Sequence, residues 1–424
     1  MIRPSDVLRP LPRHPAAGGL IDCPRAHRWL ALLAWGEDRD LYTYQQPLDG
    51  HPSPRVRVGG RPLLMLSAYD YLGLAGHPEI DAAAIAAIRE FGTGTGGVRM
   101  LTGTTALHQE LERELAAFQG VAGAVTFSSG YIANISAITA LVGPADQVLI
   151  DARAHRSLHD ACRLAGVPTR AFRHNDLAAL ERALAEGRRR GRRILMCVDG
   201  LYSMDGDLSP LPDLVALKER YDAFLLVDEA HALGVLGASG RGVHEHFGLP
   251  AGCVDVWTGS LAKAVPANGG FVAGSRELVV YLQHAAAPYW FSAALCPPAA
   301  AAALQALRVM AREPERLIRL RHAADALRSG LQGLGYDTGA SAAAVVPVIL
   351  GGDTRAWEVA RRLYDQGVIA SAVVHPAVPR GAARLRLCAT AALSEQDLHE
   401  ALAAFRSVRR GRRRIAAAVN GVNA

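Results

Sequence analysis

Short apolar segments alternate with longer amphipathic segments from about residue 63 onward. Runs such as residues 147–150 and 224–227 have no polar face, which is typical of strands buried on both sides. Buried strands separated by helices predict an α/β fold, in which a largely parallel sheet is covered by helices on both faces. The predicted strands are residues 124–127, 147–150, 194–198, 224–227, 254–257 and 270–273, and the predicted helices are residues 106–118, 132–141, 157–165, 176–186 and 211–221.

The chain is long enough for more than one lobe, because 424 residues exceed what a single hydrophobic core usually holds. After about residue 300 the pattern changes to long helices, followed by shorter strands and two further helices, the last with Ser394 as its predicted N-cap. We therefore expect a smaller α+β domain at the C-terminus. The predicted divisions are an N-terminal arm (residues 1–65), a large domain (66–300), the small domain (301–408) and a basic tail (409–424).

The charge and cysteine patterns argue against several function classes. The net charge is +6, but the dense basic clusters are residues 188–193, interpreted as a solvated helix end, and residues 409–414, interpreted as a tail. Neither forms the basic stripe that nucleic-acid binding needs. The six cysteines occur singly, in spacings that predict neither a metal site nor a disulfide framework. A reducing cytoplasm is the expected location.

Two long segments without charged residues could be mistaken for membrane spans. Residues 118–145 are interrupted by glycine, serine and asparagine, and residues 278–307 contain three prolines. Neither is the continuous apolar helix that spans a bilayer. The first residues alternate proline and arginine and show no apolar signal segment, so we expect no membrane span.

Polar residues follow three of the predicted strands, where ligands usually lie in open α/β sheets. Ser129, Gly130 and Tyr131 open a helix after the first strand, where backbone N–H groups can bind an anion. Asp228, followed by His231, comes at the end of another strand, and Lys263 follows the next one. Taken singly, these features could be an ordinary helix cap, a core histidine and a surface lysine.

Together the three features predict a pyridoxal-phosphate (PLP) site. Lys263 has small apolar neighbours, which suit a desolvated amine of lowered pKa that can form a Schiff base. Asp228 can keep the pyridine nitrogen of the cofactor protonated, and the helix start at Gly130 can hold its phosphate. A lysine, an acid and an anion cradle in one predicted sheet are the three groups that PLP chemistry needs.

The chain also resembles the α-oxoamine synthases, which are PLP enzymes of fold type I. The resemblance runs from about residue 66 to residue 405 and preserves the order and spacing of several motifs. These are DYLGL (residues 70–74), GTGGVRMLTGTTALHQELE (94–112), FSSGYIAN (127–134), YSMDGD (202–207), VDEAHALG (227–234) and ARLRL (383–387).

The resemblance implies how each residue would hold the cofactor. Lys263 would bind it covalently, Asp228 would pair with the pyridine nitrogen, and His155 would stack on the ring. His231, with Ser203 or a neighbour, would bond the ring hydroxyl oxygen. The residues implied near the phosphate are Ser129, Gly130, Tyr131 and Ser260.

The resemblance also implies substrate contacts and reveals departures from the family. Arg386 matches the arginine that holds the amino acid carboxylate, with Arg384 as a possible support, and Val98 lies beside the site. Tyr69 stands where the family usually has asparagine. A shorter acid, Asp199, replaces a glutamate, and Ala262 replaces the glycine before the lysine. Ala293 and Ala294 stand where relatives offer polar residues to a neighbouring subunit's phosphate, in an expected homodimer.

The implied reaction condenses a small amino acid with an acyl thioester, loses carbon dioxide and yields an α-aminoketone. Lys263 would remove the Cα proton as general base. Glycine, alanine and serine remain open as the amino acid, and coenzyme A or an acyl carrier protein as the acyl carrier; the tail at 409–414 could dock the latter. The alternatives are another PLP enzyme of the same fold type, an aminotransferase or lyase, or a non-catalytic partner subunit.

Overall fold

The computed structural model describes the backbone of residues 19–420 and the side chains of residues 19–409. The first part consists of a helix, a hairpin and two more helices that lead into the sheet. These are α1 (Pro24–Asp38), β1 (Arg55–Val58), β2 (Arg61–Met65), α2 (Pro78–Phe91) and α3 (Ala106–Gln119).

A seven-stranded sheet forms the centre of the molecule, and all its strands except β9 run parallel. This confirms the predicted α/β fold. The strands are β3 (Gly123–Phe127), β4 (Gln147–Asp151), β5 (Thr169–Phe172), β6 (Ile194–Asp199), β7 (Phe224–Asp228), β8 (Val256–Ala262) and β9 (Pro266–Gly274), in the order β3-β9-β8-β7-β6-β4-β5. The helices after them are α4 (Gly130–Leu141), α5 (Arg156–Ala165), α6 (Leu177–Arg189), α7 (Leu211–Arg220), α8 (Val243–His246), α9 (Arg276–Ala285) and α10 (Ala287–Phe291).

Strands β9 and β5 of the central sheet depart from the sequence prediction. Residues 266–269 precede the predicted strand at 270–273 but form the start of β9, because glycines there let β9 approach the start of α4 closely. A Cβ on Gly270 would lie 2.4 Å from the backbone nitrogen of Gly130. The edge strand β5 was not predicted, since three of its four side chains are exposed and give no apolar run.

Apolar side chains bury both faces of the sheet. Alternate residues of one strand enter different clusters, so that Leu225 and Val227 pack on one side and Leu226 on the other. Burial on both faces is the reason these strands are apolar throughout. Trp257, also fully buried, is anchored by a hydrogen bond from its Nε1 to the Ala251 carbonyl, at 2.9 Å.

The C-terminal part adds two small sheets. Its elements are α11 (Pro297–Arg312), α12 (Glu315–Gly333), β10 (Val345–Gly351), α13 (Asp353–Asp365), β11 (Val368–Ile369), β12 (Ser371–Val373), β13 (Ala383–Cys388) and α14 (Glu395–Asn420). One sheet has the order β10-β13-β12, and the other joins β11 to the N-terminal hairpin in the order β1-β2-β11. Ser394 caps α14 as predicted, because its Oγ accepts from the Asp397 N–H at 3.1 Å. The predicted boundaries at residues 65, 300 and 408 stay a prediction.

The basic cluster at residues 188–193 lies where α6 ends, as expected. Arg188, Arg190 and Arg193 bind the carboxylates of Asp222, Glu186 and Asp146 at the surface. The side chains of residues 410–414, in the predicted tail, lie outside the described residues. Within residues 19–420, no helix combines the length and the apolar character needed to cross a membrane.

Candidate active site

The carboxyl ends of the central strands surround a small cavity. Seven of the residues predicted for the site line this cavity: Gly130, Tyr131, His155, Asp228, His231, Ser260 and Lys263. The parallel strands and the helix after β3 bring them together, although they are far apart in the sequence. Four further residues line it without having been predicted: Asn134, Asp199, Leu201 and Ala230.

Lys263 lies directly after β8, at the turn into β9. Burial lowers the pKa of its ammonium group, while the nearby Asp228 and Asp199 act in the opposite direction. Lysine occurs only twice in the chain, at Lys218 and Lys263, among 46 lysine and arginine residues. Because arginine cannot lose its proton in a protein, the half-buried Lys263 is the group here that can act as a neutral amine.

Asp228 ends β7 and is buried with two donors on its carboxylate. The Asn134 Nδ2 donates to its Oδ2 at 2.7 Å, and the Ala230 N–H donates to its Oδ1 at 2.9 Å. These bonds hold the carboxylate in one orientation. Asn134 could have been found from the sequence, since it lies one helical turn after Gly130 and so on the same face of α4.

His155 precedes α5 and faces the same cavity. Its Nδ1 shares a hydrogen bond of 2.7 Å with the Ser157 hydroxyl, and its backbone N–H donates to the Asp199 Oδ1 at 3.0 Å. Burial lowers the pKa of the imidazole, so the neutral form is favoured. Burial, reinforced by Asp228, raises the pKa of Asp199 well above its usual range.

The His231 ring is held in place by a hydrogen bond with Tyr71. The Tyr71 hydroxyl and the His231 Nδ1 share a hydrogen bond of 2.7 Å, which fixes the ring and leaves Nε2 as its other polar atom. Burial lowers the pKa of His231 well below its usual range, and the charge of Lys263 adds to this. Both histidines at the cavity are therefore kept neutral by their surroundings.

The start of α4 has the properties of an anion cradle. Ser129 does not line the cavity but caps the helix, accepting from the Ile132 N–H at 3.2 Å. The first N–H groups of a helix have no acceptor within it, and those of Gly130 and Tyr131 belong to this set. A Cβ on Gly130 would lie 3.0 Å from the Ser260 Cβ, so glycine lets the start of α4 pack closely against β8 and brings Ser260 beside these N–H groups.

The remaining predicted residues lie outside the lining of this cavity. Ser203 is buried in the turn after β6, and Val98 forms an isolated bridge with Ala293. Arg386, on β13, stacks its guanidinium carbon 4.5 Å from the centre of the Tyr69 ring. Tyr69 in turn meets His231 edge-on, with ring centres 5.8 Å apart, which places this pair beside the cavity.

The residues present fit PLP better than a metal ion. A half-buried lysine of lowered pKa, a carboxylate held by Asn134 and a helix start with unpaired N–H groups match the aldehyde, ring nitrogen and phosphate of that cofactor. Among the described residues, no group of three histidine, cysteine or acidic side chains could hold a metal.

Known proteins resemble this chain over most of its length. The aminotransferase class I and II family matches residues 61–405. The 8-amino-7-oxononanoate synthase of Thermoanaerobacter pseudethanolicus is 42% identical over 87% of this chain and 93% of its own length. That of Symbiobacterium thermophilum is 43% identical over 87% and 94%.

Solved structures show the same likeness. Serine palmitoyltransferase from S. paucimobilis, with a bound PLP–myriocin aldimine, has a TM-score of 0.89 and 32% identity, covering 93% of this chain and 99% of its own. The enzyme from Sphingomonas wittichii has a TM-score of 0.88, also with 32% identity, covering 93% and 99%. From its motifs, its site and these relatives, the chain belongs to the aminotransferase class I and II family and, within it, to the α-oxoamine synthases, PLP-dependent acyltransferases.

Proposed function

We propose that this enzyme condenses L-alanine with an acyl thioester and releases carbon dioxide, a free thiol and an α-aminoketone. The observation that carries the proposal is the arrangement of Lys263, Asp228 and His155 around one cavity, with Arg386 beside it. The Cα–carboxylate bond of the amino acid and the carbon–sulfur bond of the thioester break, and one carbon–carbon bond forms between Cα and the acyl carbon.

Each residue of the site has a distinct task in this proposal. Bound PLP supplies an electron-withdrawing ring that stabilises negative charge at the amino acid Cα. Asp228, oriented by Asn134, holds the proton on the ring nitrogen on which that property depends. Lys263 would hold the cofactor, and its Nζ would be the base that removes the Cα proton of the bound amino acid. Its lowered pKa makes the neutral amine available for this step.

The two neutral histidines position the ring. His155 packs against its face, with its Nδ1 occupied by Ser157, and His231 offers Nε2 to the ring hydroxyl oxygen. Gly130, Tyr131 and Ser260 bind the phosphate, with Ser129 capping the helix. Ser203 does not line the cavity, so its hydrogen bond to the ring stays a prediction.

Arg386 binds the amino acid carboxylate through its outer N–H groups. The Tyr69 ring covers one face of the guanidinium, so a planar, bidentate carboxylate would approach its edge. Tyr69 also occupies space beside the cavity, which favours small amino acids. Val98 pairs with Ala293 in an isolated bridge, and its contact with the substrate stays a prediction.

The product name of the most similar relatives favours alanine. In 8-amino-7-oxononanoate the keto carbon is C7 and the amino carbon is C8. Dividing the chain between these atoms leaves an acyl group with a distal carboxylate and a two-carbon amine. That amine is what remains of alanine after loss of its carboxylate. The acyl donor proposed here is therefore a dicarboxylic acyl thioester.

Serine with a long-chain acyl thioester is a second candidate, favoured by the solved structures. Serine palmitoyltransferases cover 93% of this chain with TM-scores near 0.88, whereas a synthase from Francisella tularensis gives 0.72. We rank alanine first because sequence identity is higher, at 42–43% against 32%.

A panel of substrates tests the proposal. The cofactor-loaded enzyme is incubated with glycine, L-alanine or L-serine and with a dicarboxylic or a long-chain acyl-CoA, and free thiol is measured. L-Alanine with the dicarboxylic thioester should give the fastest release. Fastest release with L-serine and the long-chain thioester would support the second candidate. Keto acid formation without thiol would instead identify an aminotransferase.

The proposal includes a homodimer in a reducing cytoplasm. All six cysteines are free, which supports the location. Exposed large apolar side chains, among them Leu101 at 72% and Phe291 at 84%, flank the Val98–Ala293 bridge and support a subunit contact there. Light scattering at micromolar concentration should give twice the 45.0 kDa chain mass.

A further inference from the structure

The turn between β6 and α7 joins the central sheet to the C-terminal sheet. The Gly206 carbonyl accepts from the Ala342 N–H at 2.9 Å. A Cβ on Gly206 would lie 2.0 Å from the Val345 carbonyl oxygen, so only glycine permits this approach. Backbone contact this close means that the turn and β10 cannot shift independently.

Asp205, in the same turn, connects two arginines from different parts of the fold. Its Oδ1 accepts from Arg384 Nη1 at 2.6 Å and from Arg153 Nη1 at 2.9 Å. Arg384 lies on β13 and is 3% exposed, and it also donates to the Met204 carbonyl at 3.0 Å. We name this Arg153–Asp205–Arg384 arrangement the Asp205 bridge.

Each arginine of the Asp205 bridge lies two positions away in the sequence from a residue proposed for the active site. Arg384 and Arg386 are two positions apart on β13, so their side chains share one face of the strand. The other arginine, Arg153, lies two residues before His155, in the short loop after β4. One carboxylate oxygen therefore links the strand of the carboxylate-binding arginine to the loop of the ring-packing histidine.

The position of Arg384 argues against a purely solvent-exposed ion pair. An exposed pair contributes little to any structure, whereas a buried arginine that loses its carboxylate must move or remain uncompensated. Because Arg384 is fixed in β13, such a movement would carry Arg386 with it. A displacement of about 1 Å at a substrate-orienting group is enough to impair binding and catalysis.

We propose that Asp205 is a positioning residue, which sets Arg386 relative to His155 so that the amino acid carboxylate is bound in the orientation needed for reaction. This inference rests on the proposed function, since it uses the roles assigned there to Arg386 and His155. We therefore expect loss of Asp205 to weaken only ligands that carry a carboxylate, because Asp205 acts through Arg386, which binds that carboxylate.

Ligand titration of Asp205→Asn tests the inference. The visible spectrum of the cofactor-loaded protein is followed during addition of L-alanine and, separately, of methylamine, which has no carboxylate. The dissociation constant for L-alanine should rise about 10-fold or more, the order expected for a displaced charged hydrogen bond. That for methylamine should stay within about twofold. A dissociation constant does not depend on the fraction of protein that is folded, so partial unfolding of the variant does not affect this measurement. Arg384→Lys should also weaken L-alanine binding and leave methylamine binding unchanged.

A matched control is available at the opposite end of β4. Asp146 pairs with Arg193, and its side chain is 17% exposed, compared with 15% for Asp205. Asp146→Asn should leave both dissociation constants unchanged. Equal weakening of both ligands by Asp205→Asn, or no change for either, would overturn the inference. A wild-type protein that responds to none of glycine, L-alanine and L-serine would instead overturn the proposed function.

Discussion

Two histidines that follow neighbouring strands have opposite electrostatic surroundings. His155, after β4, bonds a serine hydroxyl through its ring, and burial lowers its pKa. His174, after β5, lies between two carboxylates, with Nδ1 2.9 Å from Asp151 and Nε2 2.7 Å from Asp207. Burial would lower its pKa too, but the two acids outweigh it and raise the value to about 9. We name Asp151, His174 and Asp207 the His174 cluster.

The carboxylates of the two regions show the same contrast. Burial raises the pKa of Asp199 at the active site, and the charge of Asp228 reinforces it. Burial has the same tendency at Asp151, but hydrogen bonds from His174 and from backbone N–H groups lower its pKa overall. Burial without a counter-charge keeps groups neutral and available for proton transfer. Burial with paired charges gives permanent ions that hold loops together.

The largest expected effect is on catalysis, from Lys263→Ala. Loss of the group that holds the cofactor and moves the Cα proton should reduce thiol release by about 10⁴-fold or more. The unfolding free energy of the cofactor-free protein should stay within about 1 kcal/mol of wild type or rise, since a half-buried amine of lowered pKa opposes folding. Steady-state rates and urea unfolding measure the two effects, and Lys218→Arg is the control that keeps activity.

In contrast to Lys263→Ala, His174→Gln should lower the stability of the protein strongly. The substitution leaves Asp151 and Asp207 without their shared cation, at a cost of about 3–5 kcal/mol of unfolding free energy. Urea unfolding at pH 7 measures it. His159→Gln serves as the control, because burial already favours the neutral form of His159 and no cation is lost. Equal stability of the two variants would mean that the His174 cluster holds no charge.

The stabilisation by His174 should depend on pH in one direction. Its pKa is raised from 6.5 to about 9 in the folded chain, so the contribution is complete below about pH 6.5 and is lost as pH rises through about 9. At about 1.4 kcal/mol per pKa unit, it amounts to about 3 kcal/mol. The stability difference between wild type and His174→Gln should therefore close above pH 9. A difference that persists at pH 10 would contradict the assignment.

The smallest expected effect is at an exposed ion pair. Asp222 is 85% exposed and binds Arg188, 40% exposed, at 2.9 Å. Solvent screens such a pair, so Asp222→Asn should change the unfolding free energy by less than about 0.5 kcal/mol. If Asp222→Asn lowered the unfolding free energy as much as His174→Gln, ion pairing alone, and not burial of the pair, would distinguish the His174 cluster from the active site.

The sequence predicted the active site better than the His174 cluster. Lys263, Asp228 and Gly130 follow apolar strands, so the parallel sheet by itself brings them to one edge. Asp199 and Asn134 lie at the same edge and were missed as lining residues, although a strand end and a helical repeat mark their positions. His174 follows an exposed edge strand without an apolar pattern, and its two acids come from elsewhere in the sheet region, Asp151 from the end of β4 and Asp207 from the turn after β6.

The Asp205 bridge was also beyond the reach of the sequence. Arg384 was expected to support the substrate carboxylate, but it binds Asp205, because β13 pairs with β10 and thereby lies against the turn that contains Asp205. A contact between residues 179 positions apart depends on how two sheets pack, and no local pattern encodes that distance. The resemblance to a family identified the strand but not the partner of this arginine.

The central claim is that Lys263 holds the cofactor, and the scarcity of lysine makes it directly testable. The protein is loaded with PLP, reduced with borohydride to make the link to lysine permanent, digested and analysed by mass spectrometry. Lys218 and Lys263 are the two lysines of the chain. We predict that the added cofactor mass is found on the peptide that contains Lys263, with Lys218 unmodified. Modification at Lys218 alone, or none at either lysine, would contradict the claim.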